Sequence, residues 1–209
     1  GSFGHTIGSE WGDVNNDGYL DLFSANLAHP RFIEFSDKSM MLINQGPEGD
    51  YHFVDTRVEA GIRYAETHSE PSLFDFNNDG KLDLHITAVY VGRKSHFYMN
   101  FSDGIFGFAN YPSGLVVDNG WGAGYADLDL DGDLDFLANR WFRNDYDNLL
   151  DSGNWLRVSL EGTTSNRSAI GAQVVVRTED ASLMSQVSGG KGTTNQPSLT
   201  QHFGLSDAE

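Results

Sequence analysis

One short acidic pattern occurs three times in this chain and limits its fold more than any other feature. The stretches are Asp13-Val-Asn15-Asn-Asp17-Gly18-Tyr19-Leu20-Asp21, Asp75-Phe-Asn77-Asn-Asp79-Gly80-Lys81-Leu82-Asp83 and Asp127-Leu-Asp129-Leu-Asp131-Gly132-Asp133-Leu134-Asp135. Each reads D-x-[DN]-x-D-G-x-L-D, and together they hold eleven of the 30 acidic residues. Like charges crowded this closely repel by several kcal/mol unless something positive sits among them. A calcium ion fits, because it takes about 6–8 oxygen ligands and tolerates irregular geometry. Side-chain oxygens at positions 1, 3 and 5 of a tight loop converge on one point. Position 7 offers its backbone carbonyl, which leaves its side chain free to vary as Tyr19, Lys81 and Asp133 do. Glycine at position 6 permits the sharp turn, and the closing aspartate at position 9 completes the ring. Magnesium fits less well, since it demands stricter octahedra and keeps its water.

These loops are not EF-hands. That loop needs a bidentate Glu at position 12 and a helix on either side. Position 12 here is Ser24, Ile86 or Ala138, and the flanks are rich in β-branched and aromatic residues, as strands are. The loops are therefore expected at hairpin tips. The plain alternative is three Asp/Asn/Gly-rich surface turns that bind nothing.

Self-similarity extends beyond the loops. An aromatic- or glycine-rich segment precedes each, and an apolar strand follows. A second strand then ends in Asn: Met41-Leu-Ile-Asn44, Phe97-Tyr-Met-Asn100 and Trp141-Phe-Arg-Asn144. The motifs start 62 and 52 residues apart (75 − 13 and 127 − 75). That length accommodates about four short strands, close to the ~40–50-residue period of a propeller blade. The expected fold class is all-β, with propeller-type blades of about four antiparallel strands and calcium loops in their hairpins. The units are placed at about 5–65, 66–118 and 119–150. Val54 to Ile62 is expected to make one short turn.

Composition narrows the function classes. The formal net charge is −17, with 13 Lys and Arg among 209 residues, so nucleic acid and anionic membrane surfaces are poor partners. No apolar run approaches the roughly 18 residues of a spanning helix, so no membrane insertion is expected. The absence of cysteine removes disulfide scaffolds and thiol chemistry. No charged-then-apolar leader follows Gly1-Ser2, so any signal peptide is expected to be already removed or to lie outside this stretch.

The three units resemble the FG-GAP/VCBS calcium-binding repeats of extracellular proteins, in which the D-x-[DN]-x-D-G loop joins two strands of a blade around calcium. The resemblance implies three sites. Asp13, Asn15, Asp17, the Tyr19 carbonyl and Asp21 would hold the first ion. Asp75, Asn77, Asp79, the Lys81 carbonyl and Asp83 would hold the second, and Asp127, Asp129, Asp131, the Asp133 carbonyl and Asp135 the third. Downstream, Asn154-Trp-Leu-Arg-Val-Ser-Leu-Glu-Gly162, Ser165-Asn-Arg-Ser-Ala-Ile-Gly-Ala172 and Gln201-His-Phe-Gly-Leu205 are similar to an ASPIC/UnbV segment. That segment, 151–209, is expected to pack on or complete the propeller. Its residues Leu156, Val158 and Leu160 alternate with Trp155, Arg157 and Ser159 in the manner of a half-buried strand. Ala172 to Arg177 reads as a second strand, and Ser188 to Pro197 as a loop or disordered stretch.

Propellers use about 4–8 blades, and three units plus the C-terminal strands supply about four at most. Three arrangements follow: a piece of a larger protein, a small closed ring, or subunits that complete one another head to tail in a polymer. No HExxH, G-x-S-x-G, P-loop or GxGxxG pattern occurs, so no catalytic residue is expected. Glu10 and Glu70, placed alike before loops one and two, read as repeat structure rather than an acid/base pair. The sequence thus points to a non-enzymatic, extracellular, secreted or surface-displayed calcium-binding module for adhesion or assembly. Its partners would be copies of itself, or a cell-surface protein or glycan. A carbohydrate-binding module using Trp121, Tyr125 or Trp141 is the alternative, set against the packing of those aromatics between blades. Asn100-Phe-Ser102 and Asn166-Arg-Ser168 have the form of glycosylation acceptors.

Overall fold

The computed structural model describes residues 5–28, 36–146, 153–192 and 195–208. Among these the regular structure is almost wholly strand, with a single-turn helix α1 (Asn110–Ser113) and one 3-10 turn (Pro47–Gly49). Strands β1 (His5–Gly12), β2 (Asp21–Leu27), β3 (Met40–Asn44) and β4 (Phe53–Asp55) form an antiparallel meander. Strands β5 (His68–Phe74), β6 (Asp83–Ala88), β7 (His96–Ser102) and β8 (Ile105–Phe108) repeat it as a second blade. A third blade has three strands among the described residues: β9 (Gly124–Ala126), β10 (Asp135–Leu137) and β11 (Trp141–Phe142). Residues 147–150, the end of the expected third unit, lie outside the described residues.

Each acidic motif is the loop of the first hairpin in its blade. The register pairs Gly12 with Asp21, Phe74 with Asp83, and Ala126 with Asp135. Each loop turns through left-handed backbone at position 6, where Gly18, Gly80 and Gly132 have φ of 89°, 81° and 104°. Glycine is the residue that adopts this at no steric cost. Of the turn expected over Val54 to Ile62, Val54 and Asp55 instead belong to β4, and 56–62 makes the turn, closed by Ala60 N–H to Thr56 O (2.7 Å).

Two apolar cores lie between neighbouring blades. Val14, Phe23 and Met41 of blade one meet Leu84, Tyr98 and Phe106 of blade two. Phe76 and Phe97 of blade two meet Leu134 and Phe136 of blade three. Phe74 stacks on Tyr125 (5.1 Å between centroids) and Phe136 (5.6 Å), so aromatic area joins the second and third sheets. Blade two, with a neighbour on each side, has β5 and β6 buried along their whole length.

The C-terminal segment forms two ribbons, β12 (Asn154–Val158) with β15 (Gln201–Ser206) and β13 (Gln173–Arg177) with β14 (Ser182–Gln186). β13 alternates in burial as a half-covered strand does. β12 does not: Trp155 and Leu156 are both about two-fifths exposed. Residues 154–157 of β12 are all exposed, so both of its faces reach solvent. Around the expected loop or disordered stretch, Lys191 and Asn195 form a β-bridge and both are buried; residues 193–194 lie outside the described residues.

Candidate metal centre

In the second loop, Asp75 accepts the N–H groups of Asp79 (3.2 Å) and Gly80 (2.8 Å), and Asp79 accepts that of Lys81 (3.0 Å). These bonds coil the loop so that positions 1, 3 and 5 face inward. One end of the Asn77 amide then lies 3.3 Å from both Asp75 Oδ1 and Asp79 Oδ1. With nitrogen at that end, the amide donates to both carboxylates. With oxygen there, it faces two carboxylate oxygens at 3.3 Å, a spacing open to oxygens that share one cation at about 2.3–2.6 Å. Burial pushes Asp75 up to about 7, with the Asp79 charge adding to the effect. A nearby cation would favour its ionised form at neutral pH.

The first loop has the same bracing. Asp13 accepts from Asp17 N–H (3.1 Å) and Gly18 N–H (2.9 Å), and burial raises its pKa to about 6. Here the Asn15 amide nitrogen donates to Asp17 Oδ2 (2.9 Å). At position 7 the Tyr19 ring packs edge-on against Tyr51, while the Lys81 ammonium pairs with Asp79 (3.0 Å).

The third loop is compensated differently. Asp127, Asp129 and Asp131 bring one carboxylate oxygen each within 4.8 Å of the others, the only such acidic cluster found among the described residues. Asp127 Oδ1 is buried without a hydrogen bond, an oxygen aimed inward as a ligand would be. Two arginines stand nearby. Arg143 reaches Asp129 (2.8 Å), Asp145 (3.0 Å) and Asp131 (3.6 Å), and Arg157 reaches Asp127 (3.1 Å). Asp133 is fully buried. Oxygen-only donor sets with three or more acidic side chains fit a hard divalent cation such as calcium.

The closing aspartates share one further arrangement. Asp21 takes Val14 N–H (3.0 Å) and Asn44 N–H (2.8 Å); Asp83 takes Phe76 N–H (3.0 Å) and Asn100 N–H (2.7 Å). Asp135 takes Leu128 N–H (3.1 Å) and Asn144 N–H (2.8 Å). Each carboxylate thus ties its loop to the end of the third strand, using both oxygens. Burial raises Asp21 to about 7 and Asp83 well above the usual carboxylate range.

The strand-ending asparagines join the blades. Asn100 donates to Val14 O of loop one (2.8 Å), and Asn144 donates to Phe76 O of loop two (2.8 Å). Position-4 asparagines answer in the other direction: Asn16 donates to Gly80 O (3.1 Å) and Asn78 to Gly132 O (3.0 Å). Asn100 is consequently buried with its amide committed, which leaves no room for a glycan. Asn166 is exposed, and its amide closes a turn to Ile170.

These ladders are carried by a repeat that family models recognise. The model described as FG-GAP-like repeat matches residues 13–86 and 75–138. The chain belongs to the FG-GAP-like repeat family. The model described as ASPIC and UnbV matches residues 162–209. No curated protein matches the chain. In this FG-GAP-like chain the ASPIC/UnbV segment lies against all three blades. Asn195 donates to Pro71 O (3.0 Å), Ser198 N–H to Tyr125 O (3.2 Å) and Ser206 N–H to Asn78 O (3.0 Å).

Lys191 of that segment pairs with Glu10, whose other oxygen takes Leu73 N–H (2.8 Å), while Tyr125 Oη donates to Glu10 (2.9 Å). Burial drives the Lys191 pKa well below its ordinary value. These groups line a cavity of about 420 Å³ between blades and C-terminal segment. Glu70 is buried between Gly8 and Gly192, where a Cβ on either glycine would collide with its carboxylate. Sequence pattern does not place Lys191 or the two arginines beside these carboxylates. The available signal was Arg143, a cation where the other blades carry Ile43 and Met99. Of the histidines, His68 bridges Ser39 (2.9 Å) and His96 (3.1 Å), and His85 packs on Phe136 (4.3 Å). His29 lies outside the described residues.

Proposed function

We propose that this chain is a non-enzymatic, extracellular structural module whose three blade hairpins are held by calcium, serving adhesion or assembly. The observation that carries the reading is the placement of one end of the Asn77 amide 3.3 Å from both Asp75 Oδ1 and Asp79 Oδ1 on a largely buried, backbone-braced loop. Calcium bound there would neutralise carboxylates that burial otherwise drives toward protonation. Sites of this kind fill at the millimolar calcium of extracellular fluid and empty where the free ion is scarce. The burial of His68 and His85 supports packing roles rather than catalysis.

Calcium titration by calorimetry with parallel thermal melts tests the reading. Calcium at 100-fold over Kd adds about 2.7 kcal/mol per site. For a chain of this size that is roughly 5–10 °C in melting temperature. A melt unmoved by complete chelation sinks it. Trp121 and Trp141, both about half exposed, favour a second reading as a glycan-binding face. Glycan binding that disappears in Trp121→Ala would support that reading; no binding across a broad glycan panel would remove it.

A further inference from the structure

The three blades use one interface, repeated twice and interrupted at both ends. The side that blade one turns toward blade two is built on Val14, Phe23 and Met41, all buried. In blade two the same positions are Phe76, His85 and Phe97, also buried, against blade three. In blade three they are Leu128, Leu137 and Trp141, exposed at 50%, 50% and 51%. The opposite end is interrupted in the same way. The positions of Leu73 and Tyr125, which pack toward the preceding blade, are held in blade one by Trp11, 50% exposed.

The hydrogen bonds stop where the packing stops. Asn100 and Asn144 each donate to their own blade and across to the preceding loop. Among the described residues Asn44, their counterpart, donates only within blade one, to Leu20 O (3.3 Å). The missing acceptor is a position-2 carbonyl like those of Val14 and Phe76. Leu128, at position 2 of the third loop, is its counterpart in this chain.

We propose that the open face of blade three receives blade one of a second copy of this chain, with Leu128, Leu137 and Trp141 packing toward Trp11 and Asn44 donating to Leu128 O across the junction. The argument is continuity: both halves of an interface already made twice are present on one molecule, on different surfaces. Such a contact is heterologous, so it propagates into a chain of subunits or closes into a ring. It deepens the assembly role proposed above and rests on it, since a net charge of −17 per copy opposes association until cations neutralise the loops.

Sedimentation velocity on calcium-saturated protein in about 0.15 M salt tests this, with calcium occupancy measured calorimetrically on the same sample. Average mass is expected to rise with concentration beyond a dimer. Trp141→Glu and Trp11→Glu each block one face, so each alone stays monomeric, while their equimolar mixture forms dimers and nothing larger. Asn44→Ala, which removes the cross-junction donor together with the amide's bonds to Leu20 O and Gly46 N–H inside blade one, is expected to weaken association about 3–10-fold, as the loss of one hydrogen bond across the junction does. A wild-type protein that binds calcium but stays monomeric at every concentration overturns the proposal and leaves the calcium reading intact. Growth unchanged by both tryptophan substitutions, or a dimer that stops at two without them, overturns it as well.

Discussion

Blades two and three carry the same loop with the same closing bonds, yet one is sealed on both sides and the other on one. Asp83 and Asp135 each accept two backbone N–H groups from equivalent residues at nearly equal distances. Around Asp83 those donors belong to buried Phe76 and Asn100. Around Asp135 one belongs to Leu128, half exposed. Charge is handled differently too: loop two is braced by backbone N–H groups, and loop three is approached by Arg143 and Arg157. An identical motif therefore has an energetic weight set by what covers it. A buried donor left unpaired costs about 1–3 kcal/mol, whereas an exposed one recovers a water.

That difference yields the largest expected effect. Asp83→Ala strands two buried donors and should cost about 2–6 kcal/mol. Asp135→Ala leaves one of its two donors where solvent can reach it and should cost roughly half as much. Denaturant unfolding of both variants in the same calcium buffer measures the gap. Equal losses would mean that coverage of the loop does not matter, and the contrast between the blades would fail.

A smaller effect, and one confined to the sealed interface, is expected from acid. His68 sits between blades one and two, facing Ser39, His96 and Arg57. Burial first, and then His96 and Arg57, lowers its pKa to about 3. The unfolded chain, with an ordinary pKa of about 6.5, binds this proton more readily than the folded one. Stability from this group is complete above pH 6.5 and falls as pH drops from 6.5 toward 3, by up to about 1.4 kcal/mol per unit. The raised pKa of Asp75 contributes oppositely in metal-free protein. The informative quantity is therefore the difference between wild type and His68→Gln. Wild type should lose stability faster between pH 6 and pH 4 (about 2 units, hence up to about 3 kcal/mol). Parallel pH profiles would show that the histidine carries no such load.

The fold was legible because its determinants are local and repeated. D-x-[DN]-x-D-G places a tight turn, the flanking β-branched and aromatic residues place strands, and recurrence of Asn44, Asn100 and Asn144 sets the blade. The loop residues were legible for the same reason. What escaped was non-local. Arg157 reaches Asp127 from 30 residues away and Lys191 reaches Glu10 from 181 (191 − 10), and nothing in their neighbourhoods announces either pairing. Asn100 misled in the opposite sense: its tripeptide fits a glycosylation acceptor, but its register on β7 turns the amide toward blade one. The uneven burial of β12 was equally out of reach, because period-two alternation says which residues share a face and not whether anything covers it.

The smallest expected effect concerns position 4, where the loops differ by one residue type. Asn16 and Asn78 adopt left-handed backbone (φ 55° and 57°), and each donates to the next blade's glycine carbonyl. Leu130 takes the same conformation (φ 65°) without an amide to donate. Asparagine tolerates this region, whereas a γ-branched apolar residue there costs roughly 1–2 kcal/mol of steric strain. Leu130 is also more than half exposed, so its replacement removes little packing. Leu130→Asn should therefore stabilise the monomer by about 1 kcal/mol, roughly 2–4 °C in melting temperature. If a second copy docks on blade three, the introduced amide would also find Gly18 O of that copy, the bond Asn16 and Asn78 make inside the chain. The two gains separate by concentration: relief of strain raises the melting temperature of dilute protein, while the added donor tightens association alone. A melting temperature unchanged or lowered by Leu130→Asn would show that the third loop is at ease with leucine, and that the position-4 asparagines serve only the interfaces they already bridge.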